Sequence, residues 1–276
     1  MNTVKAKIMR WSLSMVLGVI GIAMILPILW MVSSAFKYES DVFKIPMQWI
    51  PDYVNLNNFK TAVTDFPYFT WYFNTFKTTI IVVLVTLLFS SMSGYAFAKL
   101  KFKGKDFIFF LFIATLMIPV QVRVIPQFMM FKSWDMINKH WTITLPWIYN
   151  GFSIFLMRQF FTSIPNELIE AAKIDGSNDY WTFFKVVLPL AKPSLSALGI
   201  LSFTWGWNAY FGPLIYISDT TKQVLAVGIA SFKAEYSNNF SVQMAGSTLA
   251  LIPIIIVYLI AQKQFIEGIA LSGVKG

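Results

Sequence analysis

Six stretches of this 276-residue chain run for 16 to 24 residues without a single Asp, Glu, Lys or Arg, and any fold must find an apolar home for all of them. They are residues 11–32, 78–98, 107–122, 141–157, 194–217 and 244–262. A hydrocarbon core about 30 Å thick takes roughly 20 apolar residues of helix, because a helix satisfies its backbone N–H and C=O groups within one segment. The pattern predicts an all-α integral membrane protein with six transmembrane helices. Composition points the same way. Hydrophobic residues make up 57% of the chain, charged residues 13%, and the mean hydropathy is +0.62; a soluble domain has about 45–50% and about 25%.

Two of the runs carry complications. Residues 107–122 are short for a crossing and are cut by Pro119, with Arg123 and Pro126 just beyond. A full span is expected there, ending in a broken, non-helical or scooped continuation through Phe131 that protein or water surrounds. Residues 11–32 follow Lys5, Lys7 and Arg10 in the manner of a signal peptide. The run exceeds a signal core of about 7 to 15 residues, so it is expected to stay as an anchor.

With the N-terminus inside, six spans place 13 of the 22 basic residues on the cytoplasmic side, including Lys99, Lys101, Lys103 and Lys105 in one short loop. Both termini are therefore predicted to be cytoplasmic. The net charge of +9 then follows from topology and anionic lipid, and no basic patch interleaved with stacking aromatics points to nucleic acid. The outer loop over residues 36–77, with three prolines and Trp49, Tyr53, Tyr68 and Trp71, reads as a compact lip; its rings fit a headgroup-level belt or a substrate contact. No repeat or low-complexity segment appears, so residues 1–276 are taken as one membrane domain.

Chemistry is sparse. Cys is absent and His140 is the sole imidazole, which removes thiol catalysis, disulfides and a histidine metal site. No metal site and no catalytic residues are expected. There is no G-x-x-x-x-G-K-[ST] phosphate loop, so ATP is not bound in that manner. No Asp or Glu lies within the six runs, which weighs against a proton- or sodium-driven carrier, although backbone carbonyls also hold ions.

The informative segment is residues 163–193, amphipathic and charge-bearing between two apolar runs. Pro165 suits the first turn of a helix, Glu167 and Glu170 sit near its positive end, and Gly176 is placed to stop it in a left-handed conformation. Ser177 or Asn178 can cap a second helix that carries Tyr180, Trp181, Phe183, Phe184 and Val187 and ends at Pro189. Leu168, Ala171 and Ala172 are expected on one face, the alanines permitting close approach. A helix lying on lipid and a helix docked on a partner both satisfy this chemistry, with the acidic side chains favouring the partner.

Glu170, Ala171 and Ala172 with Asp175 and Gly176 following, then Leu188 and Pro189, resemble the EAA loop of the membrane subunits of ATP-binding-cassette importers. The Ile174–Ser177 continuation is most similar to their carbohydrate branch. Met117-Ile118-Pro119, Ile125-Pro126, Trp207-Asn208 before Pro213 and the ending GIALSGVKG look like the shorter, six-span partner of the maltose-type pair. An acidic residue usual after the Trp-Asn pair is Ala209 here.

That resemblance implies a non-catalytic permease that couples to ATPase closure through residues 163–193, a cytoplasmic helix-turn-helix. The implied partners are a homologous second permease, two ATPase subunits that bind ATP and Mg, an extracytoplasmic solute-binding protein and membrane lipid. It implies a bacterial or archaeal cell membrane, and a tail in which Gly273 and Lys275 reach the ATPases; a frayed terminus is the alternative. The cargo class is a sugar or oligosaccharide, with a glycerol-phosphate or other polyol ester as the alternative. Asn150, Trp205, Trp207, Asn208 and Tyr210 are candidates for the substrate path, since aromatic faces stack on sugar rings and amides bind hydroxyls; helix packing is the competing account of each.

Overall fold

The computed structural model describes residues 3–235 and 239–273. Among these the regular structure is helical: α1 (Thr3–Ala35), α2 (Glu39–Val42), α3 (Asn57–Thr64), α4 (Tyr68–Lys99), α5 (Lys105–Ala114), α6 (Val120–Ser133), α7 (Trp141–Thr144), α8 (Gly151–Ser163), α9 (Asn166–Ile174), α10 (Asp179–Trp181), α11 (Leu188–Leu190), α12 (Lys192–Trp207), α13 (Phe211–Tyr216), α14 (Leu225–Glu235) and α15 (Phe240–Gly273). Three helical segments are each long and apolar enough to cross a membrane: Met9–Ala35, Tyr68–Lys99 and Phe240–Gln262. Two bent pairs add up to two more, α5 with α6 at 104° and the α10–α11 stretch with α12–α13 at 80°. The chain is thus an all-α membrane protein with three to five candidate spans.

Several boundaries differ from those expected. Helix α4 starts ten residues before residue 78, and its early turns bury Tyr68 and Trp71 at 2% and 1% exposure. These two rings are packed inside protein and are not headgroup anchors. Beyond Pro119 the run is broken as expected, bent by 104°, but its continuation is helical and not irregular. Only Ile118 and Pro119 are extended, because a residue before proline is pushed out of the helical region. Residues 141–157 do not form one helix. Helix α7 gives way to a 3-10 stretch, Leu145–Tyr149, in which Pro146 has no N–H, and the chain straightens at Asn150 before α8 begins. Asn150 restarts the helix as its N-cap, its Oδ1 accepting from the Ser153 N–H at 2.9 Å.

Contacts divide the chain into two compact units, Met1–Tyr68 with Ile229–Ile252, and Phe69–Gly228 with Pro253–Gly276. In the first, α1 ends in a knot of polar bonds. The Asn58 amide donates to the carbonyls of Ala35 (2.9 Å) and Lys37 (2.7 Å), which the helix end leaves open. Lys37 lies over the Trp30 ring, 3.8 Å from its centroid, and donates to the Gln48 carbonyl. Glu39 accepts from the Ser241 N–H at 2.8 Å at the positive end of α15. Phe66 stacks on Phe232 at 4.0 Å, and Tyr68 donates to the Gly246 carbonyl at 2.8 Å.

The second unit packs through small residues. A Cβ on Gly94 of α4 would stand 2.7 Å from Met157 Cβ and 2.9 Å from the Arg158 nitrogen on α8. One on Gly151 would stand 2.6 Å from the Phe112 carbonyl oxygen, and one on Gly228 2.1 Å from the Trp71 ring. Ser90 and Ser91 are buried on α4, as close helix contact requires. Below them lies an apolar cluster that includes Tyr95, Met157, Phe161, Ile169, Phe183, Val187 and Leu198.

Candidate functional site

Residues 163–193 rest on that cluster. Lys99 at the end of α4 donates to the Ile164 carbonyl (2.5 Å) and to Asn166 Oδ1 (2.8 Å), holding the entry to α9. Pro165 precedes the helix as its N-cap residue. At the other end Gly176 takes φ +83°, its N–H bonds to the Lys173 carbonyl, and the Ser177 N–H bonds to the Ala172 carbonyl, both at 3.0 Å. This is the paired C-terminal closure that a left-handed glycine permits. Nothing lies within 4 Å of a Cβ built on Gly176, so the requirement there is conformational. The turn is braced by the Lys173–Asp179 ion pair at 2.9 Å and by Ser177 Oγ, which donates to the Ala172 carbonyl at 2.6 Å and lies 2.7 Å from Thr182 Oγ1.

Asn178 caps the second arm, accepting from the Trp181 N–H at 2.8 Å. That arm is not a plain α-helix, nor does it end at Pro189. Residues Thr182–Val187 wind as a π-helix and α11 carries the chain past Pro189 to Leu190. The wide winding falls where Pro189 withholds the amide proton that would bond to the Lys185 carbonyl one turn back.

The faces of α9 also differ from expectation. Ile169 and Ala172 are buried against the bundle, while Leu168, Glu170 and Ala171 face outward with Ile174, which is 86% exposed. The two alanines therefore have different roles: Ala172 seats the helix on its own protein, and Ala171 is the small residue left for another surface. Asp175 ends the helix exposed, Leu188 packs against the apolar cluster, and Pro189 is exposed. Tyr180 and Trp181 are 72% and 53% exposed. Gly273 is the last residue of α15, and Lys275 lies outside the described residues.

A second feature of the same unit is a cavity of about 530 Å³, within the usual range of small-molecule sites. Asn150, Trp205 and Tyr210 line it. Trp205 stacks on Trp147 at 5.7 Å with 21° between planes, and Phe152 meets Trp205 edge-on. Asn150 Oδ1 is engaged by Ser153, leaving its Nδ2 for other partners. Trp207 and Asn208 do not line the cavity. Trp207 is 3% exposed and stacks on Phe203, and Asn208 bonds back to the Thr204 carbonyl at 2.9 Å. The sequence reading missed Arg123, Gln127, Tyr149 and Tyr216, all on the wall. Gln127 accepts from Tyr216 OH and donates to Tyr149 OH, both at 3.0 Å. Their signal was available: Arg123 and Gln127 are four apart on a helix just past a proline break, so they share a face.

The likenesses to known proteins fit this geometry. Residues 86–270 match the family described as "Binding-protein-dependent transport system inner membrane component". The chain is 34% identical over 272 residues to the arabinooligosaccharides transport system permease protein AraQ of Halalkalibacterium halodurans, covering 98% of each. It is 33% identical to the sn-glycerol-3-phosphate transport system permease protein UgpE of Salmonella typhi, over 91% of this chain and 92% of that one. Among solved structures, a bacterial ABC transporter involved in import of the acidic polysaccharide alginate superposes with a TM-score of 0.83 at 25% identity, covering 96% of this chain and 99% of the other. A bacterial alginate ABC transporter in complex with its pentasaccharide-bound periplasmic protein gives a TM-score of 0.69 at 14% identity, a likeness of fold. The chain belongs to the inner-membrane permeases of binding-protein-dependent ABC importers, in their carbohydrate branch, whose members are non-catalytic membrane subunits without a cofactor of their own.

Proposed function

We propose that residues 163–193 are the coupling element of this permease, the cytoplasmic knuckle through which two separate ATPase subunits, carrying ATP and Mg, drive alternating access. The observation that carries this reading is the division of α9 into a face anchored on the bundle and an outward face of Leu168, Glu170, Ala171 and Ile174. A short helix locked by a left-handed turn and an ion pair moves as a body, so a push on the outer face reaches α8 and α12 through Phe161 and Leu198.

In this reading residues 1–276 act as one transmembrane domain with six crossings and both termini cytoplasmic. The bent pair α5 with α6, the interrupted stretch over α7 and α8, and α12 with α13 each count as one crossing. The chain pairs with a homologous second permease and receives cargo from an extracytoplasmic solute-binding protein. The likeness to the AraQ protein supports an oligosaccharide, and the likeness to the UgpE protein keeps a glycerol-phosphate or other polyol ester as the second reading. The cavity suits a saccharide, because a stacked tryptophan pair covers ring faces and Asn150 and the tyrosines offer polar partners to hydroxyls.

The test is uptake with the complete assembly in proteoliposomes. Glu170→Lys is expected to lower ATP-driven uptake at least tenfold and uncouple ATP hydrolysis, with the variant inserting in the membrane at the normal level. Uptake at the original rate would refute the coupling role.

A further inference from the structure

The wall of the cavity carries one cation and no counter-charge. Arg123, on the first turn of α6, is the only Lys, Arg, Asp or Glu that lines it. Arg123 belongs to none of the five ion pairs found among the described residues. Its Nε is buried with no hydrogen-bond partner among the described residues. Nearby groups are already engaged, since Gln127 bridges Tyr216 and Tyr149. An arginine placed only to anchor a span end would extend its head into water, whereas here part of the guanidinium is buried at a cavity wall. A guanidinium stays charged at neutral pH and presents a planar fork of donors that matches a carboxylate or phosphate in a paired geometry. A buried donor without a partner carries a penalty that such an oxyanion removes.

We propose that Arg123 selects an anionic cargo, a saccharide or polyol bearing a carboxylate or a phosphate, by pairing with its oxyanion while the Trp147–Trp205 stack covers the adjoining ring or carbon face. This rests on the importer reading above and narrows its substrate class. Neutral saccharides offer the buried Nε–H only single, uncharged hydroxyl acceptors and lack the paired, charged oxygens that match the guanidinium fork.

The experiment uses proteoliposomes containing the complete assembly and three probes: trigalacturonate, sn-glycerol 3-phosphate and neutral arabinotriose. One of the two anions is expected to enter at least tenfold faster than arabinotriose. Which anion enters separates carboxylate from phosphate recognition. Arg123→Gln is expected to reduce that entry tenfold or more, chiefly through KM, while Arg123→Lys, which keeps the charge and loses the fork, falls between. Co-purification of both variants with the other subunits in wild-type yield shows that the fold is retained. Arabinotriose entering as fast as either anion, or Arg123→Gln importing the anion at the wild-type rate, overturns the proposal and leaves the importer reading in place. Entry that persists without ATP would instead overturn the importer reading.

Discussion

At the residue scale three glycines do different physical work. Gly94 is a spacing residue, and Gly94→Ala puts a methyl 2.7 Å from Met157 Cβ. We expect a loss of about 1–3 kcal/mol, as overpacking of a tight core gives, read as a lower melting temperature of the purified protein. Gly176 is a conformational residue with open space around it, and Gly176→Val forces a branched side chain into φ +83°. That substitution should cost about 1–2 kcal/mol locally and remove ATP-coupled uptake through misdirection of the second arm. Gly199 needs neither, since its nearest Cβ neighbour is Leu87 at 3.8 Å. Gly199→Ala should melt no lower than the parent, and about 1 kcal/mol of helix propensity works in its favour. The sequence showed Gly176 as a helix stop because the signal is local. Ser90, Ser91, Ser93 and Gly94 mark close helix contact in the sequence, but the partner of Gly94, the backbone at Met157 and Arg158, lies sixty residues away and only the fold names it.

At the element scale, the segment from Tyr216 to Leu225 is braced by residues distant in the chain. Trp71 donates to the Thr220 carbonyl at 2.6 Å, Asn74 to those of Thr221 and Gln223 at 2.9 Å, and Asn138 Oδ1 accepts from the N–H groups of Ser218 and Asp219. His140 Nε2 lies 2.8 Å from the Lys222 carbonyl, a bond the neutral ring makes as donor in its Nε2–H form. Burial is the main influence on His140 and lowers its pKa below the ordinary value; the Lys222 bond opposes this, and the charges of Lys77 and Lys222 reinforce it. The folded state therefore binds fewer protons than the unfolded state, and stability falls as the pH drops through the ordinary histidine range. Melting temperature should decline between about pH 7 and 5, and His140→Gln should flatten that decline. Asp219 is held below the ordinary carboxylate range first by the Thr221 hydroxyl and then by Lys222. Its contribution is present above the ordinary carboxylate pKa and is lost only in more acid solution, so the two residues separate along one pH titration. Apart from the local Asp219 contacts, this bracing was not legible in the sequence, because its partners come from residues 71–75 and 138–140, far apart in the chain.

The same distinction applies to the helix ends. The end of α1 is capped from a distance by Asn58, and Asn58→Leu should destabilise the protein by about 1–3 kcal/mol, because the Ala35 and Lys37 carbonyls lose their donor. The caps at Asn150 and Asn178 lie within three residues of the N–H groups that donate to them, and Asn178 was readable in advance for that reason. The interrupted stretch around Asn150 was not, since an apolar run with one proline and one glycine is compatible with a continuous span until its neighbours are known.

At the scale of the whole molecule, the outward face of α9 should be sensitive to charge without being sensitive to stability. Leu168 and Ile174 are 44% and 86% exposed, so Leu168→Asp and Ile174→Asp should change melting by less than about 0.5 kcal/mol. Recovery of the ATPase subunits with the permease should fall at least tenfold, measured by affinity purification of one component and quantification of the others. Equal recovery would mean that the motor grips some other surface.

The sequence by itself determined the helical membrane class, the proline break at residue 119 and the left-handed stop at Gly176. Each of these depends on residues within one or two turns, where side-chain chemistry and backbone sterics act directly. Only the tertiary structure decided which alanine of the loop faces in, that Trp207 is core while Trp205 lines a cavity, and that the Arg123 Nε is buried there with no partner among the described residues. In a chain this apolar, hydropathy marks which residues leave water but not which neighbour they meet, and that choice is made by packing between segments distant in sequence.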